Sequence, residues 1–274
     1  MFYPAHAKRY IITLFLLLPL SLPCYAQTTQ ASIDEILQAT GINKLITASP
    51  KLALAALKQS AFAIEDPQVS SRLNGAYSSA FTEEKIRQSI TSQLQQTMPQ
   101  LLADNYLWLL ADPVWQKLSK MERASSNPQN AQDMIAFAEA NKLQPAPADR
   151  IALIERLDQA NRTSEFSVNL KLAFFRSVFS AINPVMDADM KIDDEELIKM
   201  QEEVRKSITD DINKHVQLSY LYAFRNVDNA ELESYIELNE SDTNRDSNQQ
   251  LTKAIINAID QSAYAAARAM EKSN

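Results

Sequence analysis

Only two glycines, Gly41 and Gly75, occur in 274 residues. Closed β folds and nucleotide-binding loops depend on glycine for turns with positive φ and for close approach of backbones. A helix needs it only as an occasional C-terminal stop, a role open to Gly41. The chain is therefore expected to be all-α, with no β-sheet.

Apolar spacing agrees. Phe166, Leu170, Phe174, Val178 and Ile182 recur every fourth residue, with Phe175 and Phe179 widening the stripe, as one helix face requires. Ser32 with Glu35, Asp193 with Glu196 and Asp228 with Glu231 fit capping boxes, and Pro113 and Pro184 punctuate long helical stretches. Helices are expected near 32–40, 42–62, 67–78, 82–111, 113–123, 130–141, 147–160, 163–183, 193–225, 228–240 and 247–271.

Residues 1–26 read as an export signal. Lys8 and Arg9 precede an apolar run from Ile11 to Leu22, and Cys24-Tyr25-Ala26 offers small residues where a signal peptidase cuts, before Gln27. The run is too short for a comfortable permanent span. Lipid attachment at Cys24 would want a small residue before it and an aliphatic one three before; Pro23 and Ser21 stand there instead. The expected location is the periplasm, with no stable membrane insertion after cleavage. Without the signal, 25 basic residues face 34 acidic ones, a net charge of −9. An acidic chain without basic clusters argues against nucleic acid as a partner. Cleavage also removes the one cysteine, leaving no disulfide, thiol nucleophile or thiolate metal site.

The linker-like stretches ASSNPQNAQ (124–132) and QPAPAD (144–149) bracket the middle of the mature chain, dividing it into units at 27–143 and 144–274. Each unit repeats features of the other. EKIRQSIT at 84–91 matches EEVRKSIT at 202–209, an offset of 118. The register continues as Ile86, Ile90, Leu94 and Met98 against Val204, Ile208, Ile212 and Val216, with Arg87 paired to Arg205. KLA occurs at 51–53 and 171–173, and Tyr106-Leu107-Trp108 answers Tyr220-Leu221-Tyr222. Fixed-offset similarity is the mark of repeated units. The expectation is two related antiparallel helical units side by side, with both apolar sets buried.

VDNAELESYIELNES at 227–241, preceded by YLYAFRN, and LADPVWQKLSKME at 110–122 resemble a widespread exported bacterial domain family of unknown function. Its members carry an acidic-leucine-aromatic helix and a Ser-Pro-x-Gly-x-Lys-Leu-like segment. Asp112-Pro113 and Lys117-Leu118 keep that pattern, Trp115 stands where the family has glycine, and Asp242 to Asn248 depart from it. The resemblance covers about a quarter of the chain and implies an exported helical domain, without an activity.

Chemistry is thinly signalled. His215, the sole mature histidine, falls beside Ile208, Ile212 and Val216 and is expected at the rim of the core; with no cysteine it makes no typical zinc site. No Gly-x-Ser-x-Gly elbow accompanies it. The acids Asp187, Asp189 and Asp193 to Glu196 fail as a calcium loop, with Ile192 and Ile198 at the glycine and bidentate-acid positions. Asp242, Asn244, Asp246 and Asn248 also imitate such a loop, but Ser247 and Lys253 occupy its critical places. No metal or cofactor is expected. Tyr106, Trp108 and Trp115 form an aromatic concentration that could stack on a sugar or peptide, although aromatics at helical spacing are more often core or an interhelical wedge. The leading expectation is a non-catalytic periplasmic module binding an envelope protein, a peptide or a second copy of itself in a groove between the units. The alternative is an envelope hydrolase using scattered carboxylates, which needs two convergent acids.

Overall fold

Pairing at a fixed offset and scarce glycine lead to helices, and helices are what the chain forms. The computed structural model describes residues 27–59, 66–186 and 191–271. Residues 1–26, whose sequence reads as an export signal and which include Cys24, and the acids Asp187 and Asp189 lie outside them. In chain order the helices are α1 (Gln30–Ala39), α2 (Ile42–Gln59), α3 (Pro67–Ala80), α4 (Glu83–Thr97), α5 (Gln100–Leu110), α6 (Pro113–Ser125), α7 (Ala131–Leu143), α8 (Ala148–Asn161), α9 (Thr163–Ile182), α10 (Asp194–Ala223), α11 (Asn229–Asn239) and α12 (Asp242–Glu271). Among the described residues there is no strand or sheet, only an isolated bridge between Gln27 and Pro99. No described helix is long and apolar enough to cross a membrane.

Local chemistry sets the ends. Asp193 and Asp228 accept hydrogen bonds from the amides of Glu196 (2.9 Å) and Glu231 (2.8 Å), as their capping pattern requires. At α1 the cap is Thr29 rather than Ser32: its hydroxyl accepts the Ser32 amide, so the helix starts two residues early. The expected helix over 82–111 is broken at Met98-Pro99. Proline has no amide to donate and disfavours helical backbone at the residue before it, and Met98 is extended. α12 begins at Asp242, ahead of the expected 247, where the Ser241 hydroxyl accepts the Asn244 amide.

α12 is the central element. Its inner stripe, from Asn244 through Leu251, Ala254, Ile255, Ala258, Ile259, Ala263 and Ala266 to Met270, is buried along nearly the whole length of the thirty-residue helix. Alanines there let α9, α4 and α3 approach closely, and α5 packs farther along the same helix. Around it the neighbours recur. α1 lies against α5, and α8 against α11; α4 touches α1, α2 and α12, while α10 touches α8, α9 and α6. α2 and α9 both follow a residue with left-handed backbone, Gly41 (φ 80°) and Arg162 (φ 54°).

The matched apolar sets behave unequally. Ile86, Ile90, Leu94 and Met98 are buried, as are Ile212 and Val216, but Val204 and Ile208 are half-buried. α6, at thirteen residues, is too short to cover the thirty of α10, whereas α12 runs well beyond the fifteen of α4. Arg87 and Arg205 do correspond in environment: each reaches an asparagine of the preceding packed helix, Asn43 (2.6 Å) and Asn169 (3.1 Å), and each has a glutamate within its own helix. Tyr106-Leu107-Trp108 and Tyr220-Leu221-Tyr222 do not correspond, since Trp108 is exposed and Tyr222 buried. His215 is exposed, not at the core rim. It lies about 100° round the helix from buried Val216.

Two pairs of substitutions test this packing. A Cβ on Gly41 would be strained by its positive φ and would sit 3.1 Å from the Arg123 side chain, whereas Gly75 meets nothing within 4 Å. Gly41→Ala should cost about 1–2 kcal/mol and Gly75→Ala should stabilise α3 by about 0.5–1 kcal/mol in urea unfolding. Ile90→Ala should cost roughly 2–5 kcal/mol, and Ile208→Ala less than half as much because its side chain is already partly wet. Equal losses at the two isoleucines would contradict the packing described.

Candidate functional site

Where the apolar part of the α12 stripe gives way to asparagine, the helices frame a half-open cavity of about 280 Å³. α6 contributes Trp115, Ser119, Glu122 and Arg123, which share one helical face. The α6 start is fixed by Asp112, which accepts the amides of Val114 (2.8 Å) and Trp115 (3.2 Å), and by Pro113 in the first turn. α12 contributes Asn244, Asn248, Leu251, Thr252 and Ile255, again one face. Tyr106 enters from α5, and Tyr235 and Asn239 from α11. The two left-handed joints supply the remaining wall, with Thr40 and Ile42 at one and Asn161, Thr163 and Phe166 at the other.

Most of the polar lining is satisfied by protein. Asn244 donates to the Asn239 carbonyl (2.7 Å) and to the Asn161 side chain (3.2 Å), and Asn239 donates to the Tyr235 carbonyl (2.7 Å). The Tyr106 hydroxyl donates to Asn248 (3.2 Å). Beside the cavity, Tyr220 and Thr163 share a hydrogen bond of 2.6 Å. Burial raises the pKa of Tyr106, Tyr220 and Tyr235, so all three stay neutral phenols.

Two groups are not satisfied. The buried Trp115 indole N–H has no partner among the described residues. Glu122 forms no ion pair among them, and its best contact is a long hydrogen bond, 3.4 Å, from the Tyr235 hydroxyl. Burial pushes the Glu122 carboxyl up to about 7, and the Tyr235 hydrogen bond and the Arg123 charge offset only part of that. Arg123 itself donates to the Ala39 carbonyl at the C-terminal end of α1 (2.8 Å). Among the described residues, Glu122 is the only acid lining the cavity and Arg123 the only base.

Of the three aromatic residues singled out in the sequence, Tyr106 and Trp115 line this cavity. Trp108 does not: it is 80% exposed, because two residues along a helix is about 200° of rotation from Tyr106. Asp242 to Asn248, with its calcium-loop spacing, forms the first two turns of α12, and Asn244 and Asn248 turn into the cavity. Glu122 and the asparagines escaped the sequence reading. The available signal was that Asn244 and Asn248 are in phase with Leu251 and Ile255, placing carboxamides on a buried stripe. Comparisons of the chain with protein-family models, curated proteins and solved structures find no match.

The half-buried, desolvated Glu122 carboxyl makes stability depend on pH in a direction opposite to a salt-bridged acid. Below about 4.5 Glu122 is protonated in folded and unfolded chains alike, and it costs the fold nothing. Between about 4.5 and about 7 the unfolded chain ionises first, so its contribution falls as pH rises, by on the order of 2–3 kcal/mol, and then levels off. Glu122→Gln should flatten this part of the profile in urea unfolding measured across the range. An unchanged profile would show that Glu122 is not desolvated.

Proposed function

We propose that the protein is an exported, non-catalytic binding protein that encloses a small polar molecule between two related helical halves. The observation that carries this reading is the cavity, which holds a desolvated carboxylate and an unpartnered indole N–H among otherwise satisfied polar groups. Buried polar groups are ordinarily satisfied, so these two mark the contacts a ligand would complete. A volume of about 280 Å³ suits a metabolite rather than a folded partner. Export rests on the sequence of residues 1–26 and on the resemblance to an exported helical family.

The proposed duplication is supported by the recurring neighbours, by the left-handed residues before α2 and α9, and by the cavity wall. Tyr106 and Tyr235 are 129 residues apart, as are Trp115 and Asn244, Ser119 and Asn248, Glu122 and Leu251, and Arg123 and Thr252, and all ten residues line the cavity. Hydrolysis by paired carboxylates is the weaker reading, since Glu122 has no second acid beside it in the cavity. Docking of an envelope protein, a peptide or a second copy is favoured by one observation, the exposure of Leu101 and Trp108 seven residues apart on α5.

Equilibrium dialysis of the purified protein against a low-molecular-weight cell extract, read by mass spectrometry, tests the cavity. One or a few compounds should be retained by the wild type and lost from Ser119→Leu, which fills the space. Retention of nothing, or equal retention by both, would refute ligand binding there.

A further inference from the structure

We infer that the ligand is a small organic cation, an alkylammonium compound that seats its charge against Glu122 and the rings of Trp115 and Tyr235 and offers a hydrogen-bond acceptor to the Trp115 indole. The inference rests on the cavity's being a ligand site.

The charge inventory decides the class. Glu122 faces Arg123 on its own helix, Tyr235 from α11 and Tyr220 from α10, and around those phenols stand Tyr106 from α5 and Asp158 from α8. The phenols are neutral, so Arg123 is the one positive group in the set. Its guanidinium is drawn away to the Ala39 carbonyl at the negative end of α1, and its side chain is held against Gly41. Arg123 therefore offsets only part of the cost of desolvating the carboxylate, and no ion pair completes the compensation among the described residues. An anionic ligand would add repulsion, and a neutral one would leave the desolvated charge unmet. A cation supplies what is missing.

The walls fit that charge. Trp115 and Tyr235 both line the cavity, with ring centroids 6.4 Å apart and faces inclined by 57°, and the Tyr235 hydroxyl reaches Glu122. Cations are attracted to such faces, and the effect grows when water is excluded. The unpartnered Trp115 N–H adds a demand for an oxygen on the same molecule. An amino alcohol or its N-methylated form meets all three requirements.

Trp108 and Trp115 are the only tryptophans, and Trp108 is on the surface, so Trp108→Phe leaves an emission that reports the cavity alone. This variant is titrated with choline, ethanolamine, the neutral isostere 3,3-dimethylbutan-1-ol and the anion 3-hydroxybutyrate. At least one cation should saturate the Trp115 signal, with the isostere and the anion weaker by about tenfold or more. Adding Glu122→Gln should weaken the cation by about tenfold or more while circular dichroism stays unchanged. Affinity should fall as the pH drops through about 7, where Glu122 takes up a proton. Equal binding of isostere and cation, indifference to Glu122→Gln in a folded variant, or saturation by neither cation would overturn the inference. If the dialysis retains a neutral or anionic compound, the inference fails while ligand binding stands. If it retains nothing, both fail together.

Discussion

The inner stripe of α12 changes character along its length, and the rest of the architecture follows from that change. From Ala254 to Met270 the buried side chains are mostly alanine with Ile255 and Ile259 between them, so three helices approach closely and water is excluded. From Leu251 back to Asn244 they include Ser247 and Asn244, with Asn248 half-buried beside them, and these bring carboxamides and a hydroxyl into the interior. Buried polar groups must be met by other polar groups. Asn239 and Asn161 meet Asn244, Tyr106 meets Asn248, the Ser247 hydroxyl has no partner among the described residues, and the space beside these groups is the cavity.

The cavity is held open by backbone as much as by side chains. Gly41 and Arg162 take left-handed conformations that end one helix and begin the next with no intervening loop, so Thr40, Ile42, Asn161 and Thr163 are fixed on rigid helix ends. At Gly41 the absent side chain also makes room for Arg123. Outside the cavity, Arg156 on α8 bonds both Glu233 and Glu240 of α11, fastening the helix that carries Tyr235. These pairs are exposed and contribute little stability individually. Their geometric effect is to define where α11 lies.

The all-helical class and most helix positions were legible in the sequence, because glycine scarcity, four-residue apolar spacing and capping residues act locally. The breaks that escaped were also local but subtle: Met98-Pro99 inside a continuous amphipathic pattern, and Ser241 capping a helix whose first turns look like a loop. Burial was harder to read. Val204 and Ile208 share the pattern of Ile86 and Ile90, yet coverage depends on how far a distant helix extends, and the pattern carries no information on that. The site was half visible. Tyr106 and Trp115 stood out by type, whereas Glu122 looks like any of 34 acids until packing removes its water.

The place of α12 in the chain has a consequence for how the protein reaches its native state. The helices α3, α4, α5 and α9, which it covers, all precede it in sequence. Contacts between segments so far apart form late and slowly, because long loops must close before they bring any reward. Until α12 is made, its partners carry apolar faces with nothing to bury them, and such intermediates are prone to associate. For a chain proposed to be exported, the same delay is useful: the polypeptide remains extensible enough to be threaded through a channel, and its fold is completed only after the helix that closes it has followed.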